Sequence, residues 1–356
     1  MRKALVISAL ITIVLISAVS VHGEEPSWES LQDQFVRSYN QGRYLEAAEL
    51  AGRALKLAEK TFGPDHLAIA ISLDNLALAF TAQQKYAEAE PCYTRSLAIR
   101  EKALGSDHPD VVKSLEILAL FYRTQGKYAA AEPLFERVLT AQEKALGPNH
   151  AEVMESRENL AALYRNEGKY AEAEPLLKII LEKKERIRGP EHPDVVAAMN
   201  NLAKIYYSGG KCNEAVLLYK KVLTVKEKKY GPDHPEVVSA INSLAKTYYA
   251  GEKYAEAEPL YRRALEIRKK AFGSDHPDVV SSMNSLAKLY YAEGNYPDAE
   301  LLYRDALAVI EKKYPPDHPD VTAGLEVLAD LYRKSGNDDG ATRMESRLKE
   351  IHSKKQ

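Results

Sequence analysis

Seven histidines, His66, His108, His150, His192, His234, His276 and His318, follow one another at intervals of 42 residues. Imidazole binds zinc and shuttles protons, so a ladder of this kind invites a metal or catalytic reading. Zinc, however, needs its donors about 2.0–2.1 Å from a single ion. Equivalent residues in stacked helical units stand about 8–10 Å apart, so successive rungs cannot share one ion. The ladder is therefore expected to pack in turns or to cap helix ends. Other chemistry is also missing its signatures. There is no Gly-rich phosphate loop between a strand and a helix, no G-x-S-x-G and no H-E-x-x-H. The plentiful acids follow solvent-facing helix positions. No catalytic residue, no metal ligand set and no cofactor is expected. Cys92 takes the place of an apolar residue in its repeat and reads as a buried small hydrophobe, while Cys212 replaces a tyrosine at a helix start. Three repeats separate them, roughly 25–30 Å at that spacing. A disulfide needs Cα atoms within about 7 Å, which rules out an intrachain bridge.

The elements that carry these residues are read from the rest of the chain. It has 356 residues, 45% hydrophobic and 28% charged, with formal net charge −2. That supports a large core and excludes binding by bulk attraction to nucleic-acid phosphates. Two cysteines exclude a disulfide scaffold. Arg2 and Lys3 precede an apolar run from Ala4 to Val21. A basic start followed by a short apolar stretch reads as a secretory signal over residues 1–23, with an uncleaved membrane anchor as the rival. Either way the remainder, residues 24–356, is expected outside the cytoplasm, exported to a periplasm or secreted.

Around each histidine the text recurs: GPDHLAI, GSDHPDV, GPNHAEV, GPEHPDV, GPDHPEV, GSDHPDV and PPDHPDV. A second landmark keeps the same phase, as in LAALYRNEGKYAEAE and LAKLYYAEGNYPDAE. The earlier Gly42, Tyr44, Ala47 and Ala54 hold the register too, which makes about eight units, the first and last degenerate. A fixed period of this size marks an array whose units bury apolar faces on one another. Val280, Met283, Leu286, Ala287 and Tyr290 have helical spacing, as do Tyr254, Ala257, Tyr261, Ala264 and Ile267. Each unit is thus two helices, and nothing alternates like a strand. Gly273 is placed to end one helix. Asp275 and Asp278 have the spacing of a capping box for the next, with Pro277 in its first turn. Pro91, Pro133, Pro175 and Pro259 recur four or five residues into the second helix, which is expected to begin late or to kink there.

Leu286, Ala287, Tyr290, Gly294, Tyr296, Ala299, Tyr303 and Ala306 resemble the tetratricopeptide repeat (TPR) pattern. The 42-residue unit with its G-x-D-H-P-x-V linker is similar to the variety found in kinesin light chains, though no heptad segment for a motor heavy chain is present. The resemblance covers about residues 27–350. It implies an all-α fold, a right-handed superhelical solenoid of about eight helix-turn-helix repeats, whose first helices line a concave groove that binds extended peptides. On that face repeats five to seven carry three ladders. They are Asn200, Asn242 and Asn284; Lys204, Lys246 and Lys288; and Tyr207, Tyr249 and Tyr291, with Asn201 as an additional amide. An amide offers both donor and acceptor to a peptide backbone, lysine offers positive charge, and tyrosine offers rigid apolar area with a polar tip. Asp74, Glu116 and Glu158 occupy the asparagine position in repeats two to four. The expected function is a non-enzymatic protein- or peptide-binding scaffold that holds an extended acidic or aromatic-containing segment of another protein. Neither nucleic acid nor membrane is an expected partner. A structural or self-associating envelope module and a polysaccharide-binding accessory are the alternatives.

Overall fold

The computed structural model describes residues 26–353, and the candidate signal lies outside them. The described residues fall into two compact units, one up to Leu118 and one from Ala119 on. The first holds α1 (Trp28–Asn40), α2 (Tyr44–Phe62), α3 (Leu67–Ala82) and α4 (Tyr86–Leu104), and the boundary falls within α5 (Pro109–Thr124). The second continues with α6 (Tyr128–Leu146), α7 (Ala151–Glu167), α8 (Tyr170–Arg188), α9 (Pro193–Ser208) and α10 (Cys212–Tyr230). After a 3-10 turn at Pro235–Val237 come α11 (Val238–Ala250), α12 (Tyr254–Phe272), α13 (Pro277–Ala292), α14 (Tyr296–Lys313), α15 (Pro319–Lys334) and α16 (Asp338–Ser353). Sixteen helices and no strand among the described residues make eight helix pairs, as the period requires. None of these helices is long and apolar enough to cross a membrane.

The histidine ladder turns out to start the first helix of the second to eighth pairs, while Ser27 caps α1. Nδ1 of every one of the seven rings accepts the backbone N–H two residues on, at 3.1–3.4 Å. Each imidazole thus satisfies one of the N–H groups that a helix start leaves without an intrahelical partner. Because Nδ1 accepts, it carries no proton in this geometry. Several rings also stack on an aromatic residue at or just past the end of the preceding helix, with centroids 4.6 Å apart for Phe62–His66, 4.7 Å for Phe272–His276 and 4.0 Å for Tyr314–His318. The capping box expected of Asp275 and Asp278 is therefore corrected. His276 is the N-cap of α13, and Asp275 instead accepts from Lys312 Nζ at 3.3 Å. His276→Ala should destabilise the second unit by about 1 kcal/mol, the usual scale for a lost cap, whereas His276→Asn should retain most of it. Thermal unfolding followed by circular dichroism, with and without chelator, checks this. A chelator-induced loss of helicity would return the ladder to metal binding.

The late start, one of the two outcomes expected of the prolines, is also corrected. The second helices begin at Tyr86, Tyr128, Tyr170 and Tyr254, so each proline is the sixth helical residue rather than a late start. Each is exposed, so the carbonyl that loses its N–H partner faces water. Gly273 ends α12 at φ 82°, a left-handed backbone that side chains with a Cβ resist. Packing within the second unit uses two devices. Alanines 0% exposed, such as Ala173, Ala215, Ala257 and Ala299, let neighbouring helices approach, and one continuous apolar core runs past them. Glutamates on second helices then accept hydrogen bonds from tyrosine hydroxyls of the following first helix, at 2.8 Å for Tyr290 to Glu258 and 2.9 Å for Tyr332 to Glu300. Both cysteines are free and half-buried, so Cys92 is less enclosed than expected.

Candidate functional site

Within the second unit, α9, α11 and α13 carry the three predicted ladders at equivalent positions. Spacings of three and four residues along each helix put the asparagine, the lysine and the tyrosine of a repeat on one face. Lys204, Lys246 and Lys288 are exposed, and Tyr207, Tyr249 and Tyr291 are half-buried. The ladders interlock between repeats. Lys246 Nζ lies 5.5 Å from the centroid of the Tyr207 ring, and Lys288 Nζ lies 5.7 Å from that of Tyr249. A ring face attracts a cation but does not neutralise it. Elsewhere in this unit lysines meet carboxylates directly, as Lys169 does Glu132 at 2.6 Å and Lys211 does Glu174 at 2.6 Å. Lys178 and then Lys211 hold Glu174 down to about 2. The groove lysines form no such pair among the described residues.

The asparagines behave less uniformly than their spacing suggested. Asn200 donates its amide back to Val196 O at 3.0 Å, which leaves its carbonyl oxygen as the outward-acting group. Asn242 is half-buried, and its Oδ1 is enclosed without a hydrogen-bond partner. Asn201 and Asn284 are exposed. Asn284 and Lys288 line a cavity of about 610 Å³ together with Tyr303.

Further functional residues come from the second helices. Tyr219, Tyr261 and Tyr303 stand at one 42-residue position on α10, α12 and α14. Burial pushes each phenol up to about 12, reinforced by Tyr207 beside Tyr219, by Tyr207 and Tyr249 beside Tyr261, and by Tyr249 beside Tyr303. Tyr219, Tyr261 and Tyr303 therefore add neutral phenols to the three tyrosines of the ladder. The signal for the second set was the same period, masked because a tyrosine on a core-facing stripe reads as packing. The eighth repeat ends the pattern. Glu326 and Asp330 take the asparagine and lysine positions, and Asp330 accepts from the Tyr291 hydroxyl at 2.6 Å. That hydrogen bond is the main cause that raises Tyr291 to about 12. At the other end of the series the acids are already engaged. Asp74 pairs with Arg100 at 2.7 Å in the first unit, and Glu158 pairs with Lys184 at 2.6 Å in the second.

Helix pairs in a fixed period, with a polar and aromatic face left open, define a repeat scaffold suited to protein binding. The tetratricopeptide repeat description matches residues 38–102, 69–144, 110–178, 151–228, 218–270 and 236–312, and the chain belongs to that family. Its repeats are of the kinesin-light-chain-like variety. The chain is 30% identical to a Podosopora anserina protein of nearly identical TPR-like repeats described as of kinesin-light-chain type, over 58% of this chain and 99% of that one, with a TM-score of 0.51. A single-residue variant of that protein gives the same identity and coverage with a TM-score of 0.50. The C-terminal part of a TPR repeat-containing protein from Cytophaga hutchinsonii shares the fold at 15% identity, over 84% of this chain and 99% of that one, with a TM-score of 0.51. No curated protein matches the sequence. Proteins built of these repeats are generally non-enzymatic scaffolds.

Proposed function

We propose that the second unit holds an extended acidic segment of another protein over α9, α11 and α13, without catalysis, and that it does so outside the cytoplasm. The observation that carries the binding role is the set of three exposed lysines, two of them poised over tyrosine rings and none engaged by a carboxylate among the described residues. Side chains held in this way are partly ordered before a ligand arrives, which lowers the entropy cost of association. The Asn200 oxygen and the exposed Asn201 and Asn284 amides address a ligand's backbone, and the tyrosines bury its apolar stems. Placement outside the cytoplasm is supported by Arg2 and Lys3 ahead of the apolar run Ala4–Val21.

Reversing the three lysines, Lys204→Glu, Lys246→Glu and Lys288→Glu, should leave the helical fold intact, because all three are exposed. Each contact with an acidic ligand contributes modestly, and three together should weaken acidic peptides about tenfold or more while improving basic ones. Added salt should erase much of the difference. Titration of labelled acidic and basic peptides by fluorescence anisotropy checks this. Equal affinities for wild type and variant would sink the groove. Binding of soluble oligosaccharides, unchanged by the lysine reversal, would favour sugars stacked on tyrosine instead.

A further inference from the structure

At one repeat position the seam between a second helix and the following first helix is closed by a polar side chain in four junctions, through Arg100, Gln142, Lys226 and Arg268, whereas Ala58 and Ile310 are apolar and Lys184 turns to Glu158 on the preceding helix. In the second unit the residues are Gln142, Lys184, Lys226, Arg268 and Ile310. Gln142 Oε1 accepts from Ser156 at 2.6 Å, and Lys226 Nζ donates to Ser239 Oγ at 2.7 Å and to Glu236 O at 3.1 Å. Arg268 donates to Ser282 Oγ and to Asp278 O, each at 2.9 Å. At the last junction the pair is Ile310 and Gly324, which cannot hydrogen-bond through side chains. A Cβ on Gly324 would come within 2.9 Å of Leu307 Cδ1, so glycine here also lets α15 settle close to α14. The seam opens as the cavity of about 610 Å³, and its wall includes Val280, Ile310, Leu307 and Val327, the last 41% exposed. That volume is in the range of a ligand pocket rather than a packing defect.

We propose that this junction is an anchor pocket for one aliphatic side chain at the end of the acidic segment bound by the lysine ladder. The inference rests on the groove function proposed above and adds where the segment stops and what residue stops it. Charge selects the occupant. Lys288 and Lys313 stand at the pocket and make no carboxylate pair among the described residues, Lys313 Nζ lying 5.4 Å from the Tyr314 ring centroid. Of the two aspartates there, Asp275 is engaged by Lys312 at 3.3 Å, whereas Asp320 faces the unprotonated Nδ1 of His318 at 3.7 Å and disfavours a further acid at this point. Beyond them Glu326 and Asp330 repel any continuing acidic run. An acidic block over Lys246 and Lys288 that ends in an uncharged, apolar residue satisfies all of these groups. The partner is thus an extended segment with an acidic run bounded by leucine, isoleucine or methionine.

The test uses the full chain and four labelled peptides: a short glutamate-rich run with leucine or alanine at one end, in both orientations. Wild type should bind one leucine peptide about tenfold more tightly than its alanine counterpart, the order expected for burying such a side chain. Ile310→Arg places at this seam the residue present one repeat earlier, so the chain should fold as before and the leucine-to-alanine ratio should fall to about one. Because the ratio compares two peptides of equal charge, the added positive charge cancels. Val327→Ser puts at an exposed wall position the residue type found at Ser285 and Ser243, and should lower the ratio without touching the seam. Equal binding of both peptides by wild type overturns the anchor but leaves the groove standing. A leucine preference that survives both variants also overturns it, by placing the anchor elsewhere. Failure to bind any acidic peptide overturns the groove and the anchor together.

Discussion

Replacing Arg100 with methionine should destabilise the first unit by about 3–5 kcal/mol at neutral pH, the scale seen when one partner of an enclosed ion pair is removed. Arg100 on α4 sits 2.7 Å from Asp74 Oδ2 on α3, and the two side chains are only 12% and 19% exposed. The guanidinium also donates to Ser96 Oγ at 2.5 Å and to Ser114 Oγ at 3.1 Å, and Ser96 Oγ donates to Ala70 O at 3.0 Å. Burial pushes the Asp74 carboxyl above its ordinary range, with Arg100 as the strongest opposing influence. Methionine keeps the stem and removes the charge, which leaves a carboxylate enclosed without its counter-ion. A carboxyl whose folded value is raised binds more protons in the folded state than in the unfolded one. Its ionisation therefore costs stability as pH rises through the folded value, and the cost disappears below the ordinary carboxylate range. The loss should be full at pH 7 and should shrink as pH falls toward 4. Urea unfolding of wild type and variant at both values measures it. A double replacement, Arg100→Met with Asp74→Leu, should recover most of the stability, because an apolar pair needs no counter-charge. An equal loss at both pH values, or no recovery in the double variant, would show that packing rather than charge holds this seam.

The same seam shows what a repeat makes legible and what it hides. The 42-residue period, the helix pairs and the three ladders on α9, α11 and α13 were readable because periodic burial writes itself into residue type. The helix starts were read less well. Asp275 has the more familiar chemistry of an N-cap, yet His276 takes the role, because the imidazole reaches the N–H of Asp278 while its ring stacks on Phe272. Spacing alone does not say which of two adjacent polar residues turns inward. The prolines misled for a related reason. Their cost depends on whether the freed carbonyl meets water, a property of the face rather than of the position along the helix. Asn200 folds its donor back on its own helix, which no residue type announces. The anchor pocket is a departure from the period, where Ile310 and Gly324 replace a polar plug and its partner. Either residue alone reads as ordinary helix content. Only their juxtaposition across the seam between α14 and α15 leaves a space.

Two truncations at one repeat position should separate local from cooperative stability in the second unit. Ile241 on α11 and Leu325 on α15 are both 0% exposed and stand 84 residues apart, two whole periods. Truncating either to alanine removes comparable apolar volume and should cost about 2–5 kcal/mol locally. In an array where each helix pair contacts only its neighbours, stability is a sum of pair terms and interface terms. Leu325→Ala weakens the last pair, which has a neighbour on one side only, so α15 and α16 should lose protection while α9 to α13 keep theirs. Ile241→Ala weakens an interior pair on which α10 and α12 both lean. Its loss should spread to helices that make no contact with residue 241, because each neighbour forfeits an interface as well. Hydrogen exchange read by mass spectrometry on the full chain resolves the two patterns. Acidic-peptide binding should follow the same division, abolished by Ile241→Ala and retained by Leu325→Ala apart from the contribution of the leucine anchor. Protection lost over the same number of helices in both variants would mean that this unit unfolds as a single cooperative block, and the ladders would then share one stability rather than three.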